Sequence, residues 1–76
     1  MFKRTNKYIN YREKTLKLIG EDCRQARIKC GYSQKYVARA IGVHQTQISQ
    51  FENGVYDSAV TLFYYQEFIF PIANSK

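Results

Sequence analysis

Apolar residues recur at helical spacing in two short segments near the middle of the chain. The first segment carries Val37, Ala38, Ala40 and Ile41, and the second carries Ile48 and Phe51. Residues three and four positions apart lie on the same side of an α-helix, so each segment has one apolar face that can pack against a core. The pattern predicts two short helices, over residues 34–41 and 45–52.

The residues at the ends of both segments are typical helix boundaries. Ser33 can accept a hydrogen bond from a free amide at the start of the first helix. Gly42 directly follows that helix, where a residue in the left-handed conformation would end it. His44 stands at the start of the second helix, and Asn53 with Gly54 forms its stop signal. Two short helices joined by so tight a turn form a helix-turn-helix arrangement.

The outer face of the second helix is polar but uncharged. It carries Gln45, Thr46, Ser49, Gln50 and Asn53. A face that only meets solvent usually carries Glu and Lys, whereas amides and hydroxyls can donate and accept hydrogen bonds at the edges of DNA bases. This face is therefore a candidate for base contacts, and the alternative is a neutral polar surface that contacts nothing.

Several residues of the motif match the pattern of a known family. They are Gln34, Ala38, Gly42, Ile48 and Phe51, the closing Phe51-Glu52-Asn53-Gly54, and upstream Arg24 and Arg27. With these residues the motif resembles the helix-turn-helix of the Cro and phage-repressor family, also called the xenobiotic-response-element family. The likeness extends over about residues 19–62. His44 departs from the Ser, Thr or Asn that the family has at this cap.

The resemblance implies both a fold and a function. The fold is all-α, a compact λ-repressor-like bundle of four to five helices over residues 16–70. The function is sequence-specific binding of double-stranded DNA by a transcriptional regulator, with a repressor favoured over an activator. The alternatives are a protein-binding module, such as an antitoxin or an adaptor, and an RNA-binding protein.

The resemblance also implies roles for individual residues. The helix over residues 45–52 enters the major groove, where the residues that contact bases are Gln45 first, and then Thr46, Ser49 and Gln50. The resemblance also implies that Gln34 contacts the DNA backbone, and further candidates for such contacts are Lys35, Asn53 and Tyr56. Arg27 and Glu52 form a partly buried salt bridge, so their role is structural.

The charge of the chain favours a polyanionic partner. Twelve Lys and Arg against six Asp and Glu give a formal net charge of +6, which suits DNA, RNA or an acidic membrane. Residues 1–15 are the most basic part, and the sequence predicts there either an arm that lies along DNA or an extension of a helix. The residues of the basic arm are Lys3, Arg4 and Lys7. A solvated chain end is the alternative.

A helix that includes part of this basic segment would begin near Tyr11 and run toward Cys30, with Gly20 as a point of interruption. Cys23 and Cys30 are separated along such a helix by about 10 Å, which exceeds the Cα distance of about 7 Å that a disulfide allows. We expect two buried thiols that act as small apolar residues.

The sequence shows no catalytic, metal or cofactor site. His44 is the only histidine, so no zinc site is expected. No Ser/His/Asp set, pair of carboxylates or Gly-rich phosphate loop indicates an enzyme. With no signal peptide and no apolar run of about 20 residues, we expect a cytoplasmic protein with no cofactor, small-molecule ligand or membrane partner.

The chain beyond Gly54 is predicted to form one more helix. Asp57 or Ser58 can cap its start, and we expect it to end before Pro71, with residues 71–76 as a tail. Periodicity leaves open whether residues 68–72 are helical or extended.

This C-terminal part has more aromatic surface than one helix face can bury. The sequence therefore predicts a homodimer, whose interface is formed by Tyr65, Phe68 and Phe70, on a palindromic operator. The alternative is that these side chains complete a small core.

Overall fold

The computed structural model describes residues 6–75, and this part of the chain is helical without any strand. The helices are α1 (Asn6–Cys30), α2 (Gln34–Ile41), α3 (Gln45–Glu52), α4 (Ala59–Tyr64) and α5 (Phe70–Asn74). A π-helical turn at Tyr65–Ile69 joins α4 to α5. The predicted all-α helix-turn-helix bundle is confirmed.

The long helix α1 is the element against which α3, α5 and the π turn pack. Its 25 residues rise by about 37 Å, which accounts for much of the longest dimension of the molecule, 45 Å. Both α3 and α5 pack against α1, while α2 packs against α3. The apolar residues buried between these helices are Cys23, Ala26, Cys30, Val37, Ala38, Ile48, Phe51, Tyr65, Ile69 and Ala73.

Gly20 does not interrupt α1, in contrast to the expectation from sequence. It is buried where the end of α3 crosses the helix, and a Cβ atom there would lie 2.5 Å from the carbonyl oxygen of Glu52. The glycine therefore permits close packing of α3 on α1. The helix α1 begins at Asn6, five residues before the start near Tyr11 that the sequence predicted.

The start of α4 follows the prediction, but its end does not. The Ser58 hydroxyl accepts a hydrogen bond from the amide of Thr61 at 3.1 Å and so caps the helix. We expected the helix to stop before Pro71, with a tail after it. Instead the helical path continues to Asn74, so residues 68–72 are helical.

The π turn gives the physical reason for this continuation. A proline inside a regular α-helix removes a hydrogen bond, and its ring clashes with the carbonyl four residues earlier. That carbonyl belongs to Glu67, which lies in the π turn, where the amide of Phe70 bonds to Tyr65 five residues back. The wider turn places Pro71 in the first turn of α5, where an α-helix tolerates proline.

The predicted dimer residues divide between the core and the surface. Tyr65 is fully buried within the chain, so its assignment to a dimer interface was wrong. Its hydroxyl has a buried partner, Glu52, which a tyrosine in a core requires. Phe70 is half-buried against the core, and only Phe68 of the three is mainly exposed, at 56%.

Candidate nucleic-acid interface

The turn between α2 and α3 has the geometry that the sequence predicted. The Ser33 hydroxyl accepts a hydrogen bond from the amide of Tyr36 at 3.0 Å, which caps α2. Gly42 ends the helix with φ +89°, in the left-handed region. The amides of Gly42 and Val43 both donate to the carbonyl of Ala38, at 2.8 and 2.9 Å. These bonds fix the path of the chain into α3.

The start of α3 depends on Gln47, whose role was not predicted from the sequence. His44 occupies the cap position, and its backbone amide donates to the side chain of Gln47 at 3.2 Å. The amide of Gln47 in turn donates to the His44 carbonyl at 3.0 Å. A Gln three residues after the cap is the available sequence signal, because it is one half of a capping box.

The predicted base-contacting residues lie on the face of α3 that points away from the core. Ile48 and Phe51 are buried, while Gln45, Thr46 and Gln50 are exposed. Ser49 is half-buried and accepts a long hydrogen bond of 3.5 Å from Asn53. The face is free of charge, and three of its four predicted base-contacting side chains are open to a ligand.

The predicted backbone-contacting residues flank this face at two places. Lys35 is exposed in the first turn of α2, and Asn53 is exposed at the end of α3, followed by the half-buried Tyr56. Gln34 is half-buried, and its amide nitrogen donates to Glu52 at 3.1 Å. Since a side-chain amide has two N–H groups, this bond uses one and leaves the other.

Arg27 and Glu52 form a buried ion pair, as the resemblance implied. The Arg27 guanidinium donates from Nε to Glu52 Oε2 at 2.7 Å and from Nη2 to Oε1 at 3.0 Å. This is the bidentate geometry that makes an Arg–carboxylate pair strong. The third nitrogen, Nη1, donates to the carbonyl of Tyr32 at 2.7 Å, just before α2.

Tyr65 completes the set of partners around Glu52, a role that was not predicted from the sequence. Its hydroxyl donates to Oε2 at 2.5 Å. Each carboxylate oxygen of Glu52 therefore accepts two hydrogen bonds, and the donors come from α1, α2 and the π turn. The only signal in the sequence is that tyrosines lie in an apolar segment, where a buried hydroxyl needs a partner.

This network sets the charge state of its members. Burial alone raises the pKa of Glu52, but hydrogen bonds from Arg27, Tyr65 and Gln34 and the charge of Arg27 outweigh it and lower the pKa overall. Burial, and then the bond to Glu52, raises the pKa of Tyr65. Glu52 thus stays ionised and Tyr65 stays protonated, so the end of α3 remains bonded to its three neighbours.

Basic side chains outside the network differ in whether they have an acidic partner. Within residues 10–75, the salt bridges besides Arg27–Glu52 join Arg12 to Asp57 and Arg24 to Glu21. Lys35 and Arg39 on α2 form no salt bridge in this range, so their charges face solvent. Of the predicted basic arm, Lys3 and Arg4 and the side chain of Lys7 lie outside the described part of the chain.

Both cysteines are buried free thiols, as predicted. Burial, and then the nearby carboxylates of Glu52 and Asp22, raises the pKa of Cys23 to about 12. The thiol of Cys30 donates to the carbonyl of Ile69 at 3.4 Å. In the helices that the structure describes, no stretch is both long and apolar enough to cross a bilayer.

Comparison with known proteins identifies the family. The helix-turn-helix family model matches residues 24–63, which are 40 of the 76 residues and include all of α2 and α3. No curated protein and no solved structure matches the chain. The chain belongs to the Cro and phage-repressor type of DNA-binding helix-turn-helix proteins.

Proposed function

We propose that this protein is a transcriptional regulator that recognises a specific duplex operator with α3 in the major groove, and that it acts as a repressor. The observation that carries the proposal is the exposed, uncharged face of α3 with Gln45, Thr46 and Gln50. The side chains of Gln and Thr suit adenine edges and thymine methyl groups. We also propose that the protein is cytoplasmic, because a regulator of this kind acts in the compartment that holds the DNA.

Gln45 is the first candidate for direct base readout. It stands in the first turn of α3, and a Gln can make two hydrogen bonds to adenine N6 and N7, which discriminate against a wrong base by about 1 to 3 kcal/mol. Gln50 and Thr46 lie on the same exposed face. Ser49 is a weaker candidate because it is half-buried.

The test begins with selection of binding sites from random duplex DNA. Gln45→Ala should then weaken binding to the selected site about 5- to 150-fold, which corresponds to 1 to 3 kcal/mol, with nearly unchanged binding to random duplex. A matched control is Gln25→Ala, because Gln25 is exposed on α1 beside α5. Equal losses on both DNAs would show that Gln45 does not read sequence.

The proposed backbone contacts are made by Lys35, Asn53, Tyr56 and the second N–H of Gln34. Contacts to phosphates position a protein without reading bases. Lys35→Ala should therefore lower affinity equally on the selected site and on random duplex, and reduce the salt slope by about 0.9. An unchanged slope would remove Lys35 from the contact surface.

We also propose that the protein binds a palindromic operator as a homodimer through the exposed aromatic side chains near the π turn. The tilted ring of Phe68 packs against Tyr64 with ring centroids 5.0 Å apart, and Phe63 is 60% exposed on the preceding turn. Exposed apolar patches mark interaction sites. A symmetric dimer would place two copies of α3 about 34 Å apart, one turn of DNA.

Sedimentation tests the dimer. The wild-type chain should sediment as a dimer at micromolar concentration, and Phe68→Ser should sediment as a monomer. Val55→Ser is the control, since Val55 is an exposed apolar residue of the loop before α4. Phe70 is a poorer target than Phe68, because its half-buried side chain also packs on the core. A wild-type monomer, with and without DNA, would refute the dimer.

The exposed aromatic residues also favour a second candidate, a module that binds a different protein, such as an antitoxin or an adaptor. The same experiments separate the two functions. A chain that selects no DNA sequence, and whose Phe68→Ser variant leaves its oligomeric state unchanged, would be explained better by the protein-binding function.

A further inference from the structure

Two exposed lysines on α1, one in the basic segment 1–15 and one beyond it, are not among the DNA contacts proposed so far. Lys14 and Lys17 are exposed, and within residues 10–75 neither forms a salt bridge. They are three positions apart, so they lie on one face of the helix. In contrast, Arg12, Arg24 and Arg27 of the same helix each pair with a carboxylate.

The position of Lys17 relates this face of α1 to the proposed DNA surface. The backbone of Lys17 lies directly against Gly54, since a Cβ on Gly54 would be 2.7 Å from the Cα of Lys17. Gly54 follows Asn53 and precedes Tyr56 by two residues, and both of these are proposed to contact the DNA backbone. The Lys17 side chain therefore begins beside the proposed backbone contacts at the end of α3.

This part of α1 is held in place against the loop between α3 and α4. Arg12 donates from Nη2 to Asp57 Oδ2 of that loop at 3.0 Å. On the same side of α1, Leu16 and Ile19 are half-buried. The exposed ion pair adds little stability by itself, but together with the contact between Lys17 and Gly54 it fixes the helix beside the loop. Lys14 and Lys17 are thus presented by a rigid helix and not by a mobile arm.

We propose that Lys14 and Lys17 form a second phosphate-binding surface, which extends the DNA contact from the end of α3 along the N-terminal half of α1. Unpaired, exposed lysines on a fixed helix can neutralise phosphates and release counterions. Such contacts add affinity without sequence discrimination. The surface ends one turn beyond Lys17 at Glu21, because the Glu21 carboxylate pairs with Arg24. This inference rests on the proposed DNA binding.

The test compares the double variant Lys14→Gln/Lys17→Gln with the wild-type chain on the selected operator and on random duplex DNA. Two lost phosphate contacts should reduce the slope of log affinity against log salt by about 1.8. Counted from equal affinities of the two proteins at 1 M salt, this difference in slope corresponds to a loss of affinity of about 30-fold at 0.15 M salt on both DNAs. A hydroxyl-radical footprint should lose protection at the edge of the site while the centre remains protected.

Lys29→Gln is the matched control for the single variant Lys17→Gln. Lys29 is also an exposed lysine of α1, but it lines the groove between α1 and α5. It lies about 18 Å from Lys17 along the helix. Its substitution changes the net charge equally. Because Lys29 lies away from the proposed surface, its substitution should leave both the salt slope and the footprint nearly unchanged.

The outcomes separate this inference from the proposed function. If the wild-type chain binds no duplex DNA, both fail. If it binds its operator and the double variant retains the wild-type salt slope and footprint, only the second surface is refuted. The same conclusion follows if Lys29→Gln lowers affinity as much as Lys17→Gln, or if the double variant loses affinity for the operator alone. Because both lysines are exposed, the melting temperature of the double variant should equal that of the wild type.

Discussion

The substitution Glu52→Gln tests the buried network on which the position of α3 depends. In the native chain both oxygens of Glu52 accept hydrogen bonds, from Arg27, Gln34 and Tyr65. Glutamine has nearly the same shape, but it replaces one acceptor oxygen with an N–H donor. That donor would face the donors of its neighbours, and Arg27 would remain buried without its counter-charge.

The expected loss is large relative to the stability of so small a domain. Glu52 is only 3% exposed and Arg27 only 8%, and removing one partner of a buried pair costs about 3 to 5 kcal/mol. A chain of this length has a total free energy of unfolding of about 4 to 11 kcal/mol. Because 1 kcal/mol shifts the melting temperature of such a domain by about 4 to 8 °C, the variant should melt at least about 12 °C below the wild type.

Thermal and urea unfolding followed by circular dichroism would measure this loss. Two controls define the scale. Asp57→Asn removes a partner from the exposed pair with Arg12 and should cost at most about 1 kcal/mol. Gln45→Ala changes only an exposed side chain and should leave the melting temperature nearly unchanged. If Glu52→Gln unfolds at the same temperature as these controls, the network does not stabilise the fold and the reasoning is wrong.

The pH dependence of stability gives an independent check of the same substitution. The pKa of Glu52 is lower in the folded chain than in the unfolded chain, so Glu52 contributes stability that is fully present above its ordinary value near 4.5. This contribution is lost as pH falls below that value toward the lower folded pKa. Glu52→Gln should remove that part of the acid sensitivity, and its stability should approach that of the wild type in strong acid.

Three further substitutions or treatments follow from the packing around this network. Tyr65→Phe removes one donor from ionised Glu52 and should cost about 1.5 to 3 kcal/mol in urea unfolding; a neutral result would mean that the hydroxyl bond is dispensable. A Gly-to-Ala substitution in an exposed helix usually stabilises the fold. For Gly20→Ala, however, the new Cβ would lie 2.5 Å from the carbonyl oxygen of Glu52, so the melting temperature should fall. Cys23, with its pKa raised by burial to about 12, should resist iodoacetamide at pH 8, as should buried Cys30, until urea unfolds the chain. Rapid alkylation of folded protein would contradict this burial.

The sequence was most informative where local signals determine the backbone. The bounds of α2 and α3 agree with the prediction, since Ser33, Gly42 and the Asn53-Gly54 stop each act on neighbouring amides and carbonyls. The Arg27–Glu52 pair came only from the family resemblance. Twenty-five residues separate its members, and no local pattern relates positions so far apart.

The C-terminal segment shows why local signals failed elsewhere. A rule about proline predicted a helix end before Pro71, but Ile69 and Ala73 are buried in the core, on either side of this proline. Their burial favours a continuous helical path, and the π turn accommodates the proline. The turn also decides which aromatic residue faces inward, so periodicity alone could not separate buried Tyr65 from exposed Phe68.

The position of Tyr65 links the proposed dimer surface to the recognition helix. Tyr65 begins the π turn and bonds to Glu52 at the end of α3, and Phe68 projects from the same turn into solvent. A partner that binds Phe68 therefore binds the folded turn, in which Tyr65 holds the end of α3. Ligands that bind only the folded state stabilise it by mass action. Operator DNA and, in the proposed dimer, the second subunit should each raise the melting temperature, and Phe68→Ser should remove only the rise due to the subunit. Thermal unfolding at several protein concentrations, with and without operator DNA, measures both shifts.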